Sequence, residues 1–224
     1  MVRIRLIALA VLAVFCVSAV AAATASASKG EFVNEKEKPL EKNNFTATSG
    51  ETKLETTSGT KVKFLSDIVL GVLTSATGGE ATVHFKTCES SGHSCKSITP
   101  AGAVGEIITL VALLIRKLSA TEDALLDTIL EPGTKKAGIT EFECSGIKIR
   151  VQGSFYSNGI ATNGTFSTLW PVKAKQAKGV QEIQKGEAGT PTCHLETSVA
   201  GEAFQESGEE GEETFHFLEK GKFV

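Results

Sequence analysis

The sequence predicts an all-β protein, an antiparallel β-sandwich or a partly closed barrel, with a single β domain over residues 45–224. Three observations lead to this fold class. Short stretches rich in Thr, Val and Ile alternate apolar and polar residues with a period of two, which is typical of half-buried strands. Gly, Asn and Ser residues separate these stretches at frequent intervals, as tight turns do. The composition, 41% apolar and 22% charged, is that of an ordinary globular protein.

The first strand pair lies in TKLETTSGTKVKF, residues 52–64. Leu54 and Thr56 fall on one face of its first strand, and Val62 and Phe64 fall on one face of its second strand. The tripeptide TSG supplies the turn between them. We therefore expect a hairpin whose apolar face packs on the core.

Two further stretches repeat this alternation. They are EATVHFKTC, residues 80–88, and TEFECSGIKIRVQGSFYS, residues 140–157. The residues assigned to the inner face are Ala81, Val83, Phe85 and Thr87 in the first stretch and Ile147, Ile149 and Val151 in the second. His84 then lies on the solvent face, because neighbouring residues of a strand point to opposite sides.

The segment between these stretches is apolar without interruption from Ile107 to Ile115, so periodicity does not distinguish a doubly buried strand from a buried helix. Branched side chains favour a central strand at 105–115. The following segment offers a helix start at Ser119 or Thr121, but we favour a second strand at 124–131.

Turn dipeptides and a last alternating stretch mark the C-terminal half. Asn158-Gly159 and Asn163-Gly164 supply the left-handed backbone of tight turns, and both are predicted to be turns. In ETFHFLEK, Phe215 and Phe217 lie on one side of the final strand.

The N-terminal 27 residues read as a secretory signal peptide. Two arginines precede an apolar run, and small residues at alternate positions follow it, so cleavage is predicted after Ala25 or Ala27. An uncleaved membrane anchor is the alternative, because the run approaches the ~20 residues that span a bilayer. Residues 28–44 are charged and poor in apolar residues, and we assign them to a flexible linker.

Export favours paired cysteines, and removal of the signal peptide leaves four of them. Four cysteines allow three pairings. Cys88 and Cys95 flank the polar loop ESSGHS, so we predict a bridge between them and a second bridge between Cys144 and Cys193. A metal site is the alternative, with His84 and His93 completing the ligand set. The spacing disfavours it, because a zinc knuckle usually holds its cysteines two to four residues apart.

No catalytic motif stands out, so no catalytic, cofactor-binding or metal residue is assigned. Ser58–Lys61 matches S-x-x-K but falls in the predicted hairpin turn, on exposed backbone. His194 and Cys193 are adjacent and would point to opposite faces of a strand. The acidic run ESGEEGEE, residues 206–213, is predicted to be a flexible, solvated loop.

Four stretches, FTATSGETKLETTSGTKVKF, VHFKTCESSGHSC, GEIITL and FECSGIKIRVQGS, resemble in this order a family of uncharacterised secreted proteins of soil actinobacteria. The resemblance covers roughly residues 45–170 and implies an exported, all-β bacterial protein, with no activity to carry over. The family has a cysteine at the position of Phe64, so an alternative stays open in which Cys144 and Cys193 do not meet and remain thiols.

These observations predict a secreted, extracellular or cell-envelope-associated β domain that is not an enzyme and uses no cofactor. Its expected partner is a cell-wall polysaccharide or another envelope protein. Nucleic acid is not expected, because the net charge is −3 and no aromatic residues lie among the lysines of residues 173–185. A secreted hydrolase of polysaccharides or peptides and a ligand or metal carrier are the alternatives.

Overall fold

The computed structural model describes residues 31–117, 124–130, 140–160, 166–184 and 192–224. The predicted signal peptide with both cleavage sites, the helix start at Ser119 or Thr121 and the turn at Asn163-Gly164 lie outside these residues. Within the described ranges every regular element is a strand, which confirms the all-β prediction. A search of the same residues finds no helix with the length and apolar character needed to cross a membrane.

The strands follow one another in short succession. In chain order they are β1 Phe32–Asn34, β2 Asn44–Ser49, β3 Thr52–Thr56, β4 Lys61–Phe64, β5 Ser66–Ser75, β6 Gly78–Lys86, β7 Glu89–Ser90, β8 His93–Thr99, β9 Glu106–Lys117, β10 Ala124–Leu130, β11 Thr140–Cys144, β12 Ile147–Ile160, β13 Ser167–Ala174, β14 Gln176–Ala177, β15 Val180–Gln181, β16 Leu195–Val199 and β17 Gln205–Phe223.

The strands form a ring of antiparallel pairs. Strand β17 pairs with β2 and β3 along one edge and with β13 and β16 along the other. Strand β12 also pairs with β13 and β16, and on its other edge with β10 and β11. The remaining pairings connect β2 and β3 to β10 and β11 through β4 to β9. The sheet therefore closes on itself around one interior, and the long strands β12 and β17 span both halves of the ring.

The interior holds the hydrophobic core, and period-two alternation places most of it correctly. Val62 and Phe64 are buried as predicted, as are Leu54 and Thr56 across the same hairpin. Ile147 and Thr87 are exceptions, because Ile147 is 49% exposed and Thr87 is exposed just beyond the end of β6. Ile147 pairs with Cys144 at the tight turn between β11 and β12, beyond the end of the core.

The apolar segment from Ile107 to Ile115 is a strand, as favoured. β9 lies between β6 and β10 in the ring, and Ile107, Val111 and Leu113 face the core. The alternation was hidden because outward positions such as Leu110, 36% exposed, are apolar too. The second favoured strand is also present, as β10.

The linker prediction is corrected for residues 31–44. β1 pairs with the end of β17, and Phe32 and Leu40 are each only 3% exposed. The Phe32 ring packs edge-on against Trp170 with a centroid distance of 4.7 Å. Three buried apolar residues, Phe32, Val33 and Leu40, dock this segment on the ring, although its average composition is that of a tether.

The turn prediction at Asn158-Gly159 is also wrong, because both residues lie inside β12. Gly159 has a φ of 114°, and a Cβ atom there would stand 2.7 Å from the Pro171 carbonyl oxygen. The glycine therefore allows β13 to approach β12 closely.

Candidate functional site

A cavity of about 80 Å³ lies inside the ring. Most of its lining is aliphatic or aromatic. Three acidic side chains, which we call the acidic wall, interrupt this lining: Asp67 from β5 and Glu209 and Glu213 from β17. None of the described residues that line the cavity is Lys, Arg or His. The cavity is therefore apolar with one acidic side and no basic partner for it.

Hydroxyl groups line the part of the ring that faces the acidic wall. They belong to Thr109, Thr128, Thr140 and Ser157 on β9 to β12. The hydroxyls of Thr109 and Thr140 are 2.9 Å apart and bond to each other. Four side chains that accept and donate hydrogen bonds are thus available across the cavity from the carboxyls.

Asp67 is the best-defined group of the acidic wall. Its side chain is buried, and the Ser49 hydroxyl donates a hydrogen bond to its Oδ2 atom at 2.5 Å. The backbone N–H of Asp67 donates in return to the Ser49 Oγ atom at 3.1 Å. The other carboxyl oxygen, Oδ1, is buried and accepts no hydrogen bond from an N–H or hydroxyl group. The Glu213 carboxyl lies beside Asp67, and a side-chain hydrogen bond between the two carboxyls lowers the pKa of Asp67.

Glu209 and Glu213 reach the cavity because β17 is a regular strand there. Residues of like parity share a face, so both glutamates lie on the same side as Phe215, which is buried in the core. Both keep part of their surface accessible, and that surface borders the cavity. Gly211 stands between them, and a Cβ atom there would lie 2.3 Å from the Thr52 methyl carbon. Glycine therefore leaves the space that Thr52 fills.

The carboxyls of the acidic wall are hard to ionise. Burial raises the pKa of Asp67 despite its bonds to Ser49. Burial, and then the negative charge of Asp67, raises the pKa of Glu209 to about 8. Burial and the charges of Asp67 and Glu209 raise the pKa of Glu213 well above its usual range. At neutral pH Glu209 therefore retains a proton that an exposed carboxyl would have lost.

An outer groove of about 680 Å³ lies over the same region. Ser49, Gly50 and Gly211 line its floor, and Lys173 stands at its side in an ion pair with Glu212. Ser49 borders both the outer groove and the acidic wall, because its hydroxyl donates a hydrogen bond to Asp67 on the inner side of the ring. The connection between β2 and β3 thus lies between the outer groove and the acidic wall.

The acidic run 206–213 is therefore not the solvated loop that the sequence predicts. It lies within β17, where alternate glutamates point in and out. Glu210 and Glu212 lie outside, and Lys53 binds the carboxyl of Glu210 at 2.7 Å. Spacing along the strand could have predicted the inward orientation, because Glu209 and Glu213 each lie an even number of residues from the buried Phe215. The same holds for Asp67, which lies two residues before the buried Val69.

The predicted cysteine pairing is wrong. The disulfide joins Cys95 to Cys144, with a Cα–Cα distance of 4.1 Å, and Cys88 is a buried thiol. Cys95 does lie next to Cys88, since its N–H donates to the Cys88 carbonyl oxygen at 2.8 Å. β8 has a second neighbour, however, and its register with β11 places Cys144 directly opposite Cys95. A disulfide is typical of proteins that fold in an oxidising compartment.

Cys193 lies in a different part of the molecule from Cys144, its predicted partner. It is buried in a small cluster with Leu125 and Tyr156 on the outer side of the ring. The Ser154 hydroxyl donates a hydrogen bond to its sulfur at 3.7 Å. The alternative that leaves Cys144 as a thiol is also wrong, because Cys144 is bonded to Cys95.

His84 and His93 do not join the cysteines in a ligand set. The described residues contain no group of three His, Cys, Asp or Glu side chains that could hold a metal ion. His84 lies instead on the outer face, with its Nδ1 atom 3.0 Å from Glu106 Oε1. Lys86 and then His84 lower the pKa of Glu106 to about 2. The arrangement is a surface ion-pair group, as an outward His84 allows.

Ser58 and Lys61 do not form a catalytic pair. The Ser58 hydroxyl lies 3.0 Å from Thr56 Oγ1, and the Lys61 ammonium lies 3.5 Å from Glu55 Oε1. Both residues border the hairpin turn that the sequence predicts. The interior acidic wall is thus the strongest candidate site among the described residues. Comparison with protein-family models, with curated proteins and with solved structures finds no match.

Proposed function

We propose that this chain is a secreted or envelope-associated binding protein, not an enzyme, and that it holds a small ligand inside its ring of strands. The observation that carries the proposal is Asp67 Oδ1, a buried carboxyl oxygen that no N–H or hydroxyl group satisfies, at the wall of a largely apolar cavity. Buried polar atoms are nearly always satisfied in proteins. A pocket with an apolar lining and a few convergent polar groups is the usual form of a small-molecule site.

The predicted signal peptide, the disulfide and the resemblance to secreted actinobacterial proteins support the cellular location in this proposal. The dimensions of the cavity favour a small molecule over the polysaccharide or protein partner expected from the sequence. About 80 Å³ accommodates several water molecules or a short organic chain. A polymer chain would have to bind elsewhere.

The proposed function is tested with n-butanol as a probe of the cavity. Ligand-observed NMR should detect magnetisation transfer from the protein to the probe. Val83→Phe places a larger side chain in the cavity lining and should abolish the transfer. Thr82→Phe adds an aromatic ring at the neighbouring, outward position of β6 and should leave the transfer intact. Absence of transfer with the folded wild-type protein, or equal transfer with Val83→Phe, would contradict interior binding.

The raised pKa values of Glu209 and Glu213 favour a hydrolase as the second candidate, because acid–base chemistry needs carboxyls in different protonation states. Glycoside hydrolysis requires a sugar and a water between two carboxyls. The small, enclosed volume argues against such a substrate. We expect no nitrophenol release from p-nitrophenyl glycosides or p-nitrophenyl acetate above the rate with Glu213→Gln. Turnover that disappears in this variant would favour the hydrolase.

A further inference from the structure

We propose that the acidic wall recognises a primary ammonium group, so that the ligand of the cavity is a small amine with an apolar body. This inference rests on the proposed function, because it requires that the cavity binds a ligand. It identifies the chemical class of that ligand.

The first argument is charge complementarity. Asp67, Glu209 and Glu213 converge on one cavity, and no basic residue is present among the described residues of its lining. Elsewhere in the described chain, acidic side chains typically meet a lysine. The Glu55 carboxyl, for example, lies 3.3 Å from the Lys53 ammonium. The acidic wall lacks the positive charge that a cationic ligand would supply.

The second argument is the second oxygen of the Asp67 carboxyl. Ser49 donates to Oδ2, whereas the buried Oδ1 atom receives no hydrogen bond from an N–H or hydroxyl group and has only a carboxyl, that of Glu213, beside it. An ammonium group carries three hydrogen-bond donors and no acceptor. It can therefore donate to Asp67 Oδ1 and to both glutamates at once. A carboxylate or phosphate ligand offers only acceptors and would meet like charge.

The third argument distinguishes an amine from a metal ion. Hard cations such as Ca²⁺ take six to eight oxygen ligands at short distance. The described residues contain no group of acidic, histidine or cysteine side chains that could hold a metal ion. Apart from four hydroxyl groups, the rest of the lining is apolar, with Phe142, Phe155 and Phe215 among the larger side chains. Such a lining suits the hydrocarbon part of an organic amine better than the hydration shell of a metal ion.

The fourth argument concerns protons. The carboxyls that face the site are Asp67 on β5 and Glu209 and Glu213 on β17, and no described basic group lines the cavity with them. In the absence of a cation, burial raises the pKa of all three carboxyls, to about 8 for Glu209, which therefore holds a proton at neutral pH. A bound ammonium favours the ionised form of a neighbouring carboxyl. Binding should therefore release a proton, and the affinity should rise with pH.

Three probes of equal chain length test the inference: n-butylamine, n-butanol and n-butyrate. We expect n-butylamine to bind at least tenfold more tightly than n-butanol and n-butyrate not to bind. The affinity for n-butylamine should rise about tenfold per pH unit from pH 6 to pH 8 if one proton leaves. Calorimetry in two buffers of different ionisation enthalpy measures that proton directly. None of these measurements on the wild-type protein depends on a variant that folds.

Asp67→Asn provides the variant test, and Glu212→Gln provides the control on the outer face of β17. Asp67→Asn should reduce the preference for n-butylamine over n-butanol by at least tenfold, whereas Glu212→Gln should preserve it. Equal affinity for n-butylamine and n-butanol, with both blocked by Val83→Phe, would overturn the amine inference and leave the proposed function standing. Binding of neither probe would overturn both.

Discussion

The substitution Glu209→Gln should change the pH dependence of stability strongly. Glu209 faces the cavity, and its pKa in the folded protein is about 8, against 4.5 for an ordinary glutamate. Between these two values the folded protein keeps a proton that the unfolded chain releases. Folding therefore takes up a proton, and the free energy of unfolding falls as the pH rises through this window.

The magnitude follows from the two pKa values. One group with a raised pKa changes the free energy of unfolding by about 1.4 kcal/mol per pH unit. Over the interval from 4.5 to 8 the loss approaches about 5 kcal/mol for Glu209. Glutamine fills a similar volume and does not titrate. The variant should match the wild-type protein near pH 4.5 and exceed its stability by about 3 to 5 kcal/mol at pH 9.

Urea denaturation at pH 5, 6, 7, 8 and 9 measures this difference. Glu212→Gln is the matched control, because Glu212 is exposed on the outer face of the same strand and pairs with Lys173. Its profile should run parallel to that of the wild-type protein. Parallel profiles for Glu209→Gln and wild type from pH 5 to pH 9 would refute the burial of Glu209 as the cause of its raised pKa.

Three further predictions concern the frame around the cavity. Gly153→Ala should destabilise the protein by about 2 to 5 kcal/mol in urea denaturation, since φ is 97° there and a Cβ atom would lie 1.7 Å from a carbonyl oxygen. The control Gly50→Ala has open space around the added Cβ atom and should cost less than about 1 kcal/mol. Phe32→Ala should cost about 3 to 5 kcal/mol in the same assay, whereas a loose linker would give no change. Iodoacetamide should alkylate Cys88 about 1000-fold more slowly in the native than in the unfolded protein, because burial raises the pKa of the thiol from 9.0 to about 12. Mass spectrometry measures the two rates, and equal rates would contradict the burial of Cys88.

The alternation of residues within single strands could be predicted from the sequence because it is a local property. Val62 and Phe64 face inward because every second residue of a strand shares a face, whatever the rest of the chain does. The same rule applied to the acidic run would have turned Glu209 and Glu213 inward beside Phe215. The loop prediction for this run came from its composition, since glycines and glutamates together are typical of solvated loops, and it did not take the period-two spacing into account.

The cysteine pairing could not be predicted in this way, because it depends on register between strands that are distant in sequence. Cys95 has a neighbour on each side, Cys88 immediately before β7 and Cys144 on β11. Proximity along the chain favours the first, and the register of β8 with β11 selects the second. Closure of the ring is likewise invisible to local patterns, because it requires β17 to pair with strands from both ends of the domain.

The acidic wall is difficult to explain as a contribution to stability. Three buried carboxyls without a basic partner oppose folding whenever they ionise, and apolar side chains of similar volume would fill the same space without that cost. Their neighbours on the inner face of β17 and β5, Phe215 and Val69, show that the fold accommodates apolar residues at adjoining positions. Residues that lower stability without serving the core are expected at functional sites. A cationic ligand would remove the penalty, since it supplies the donors and the charge that the interior lacks, and the protein should then be most stable when the ligand is bound.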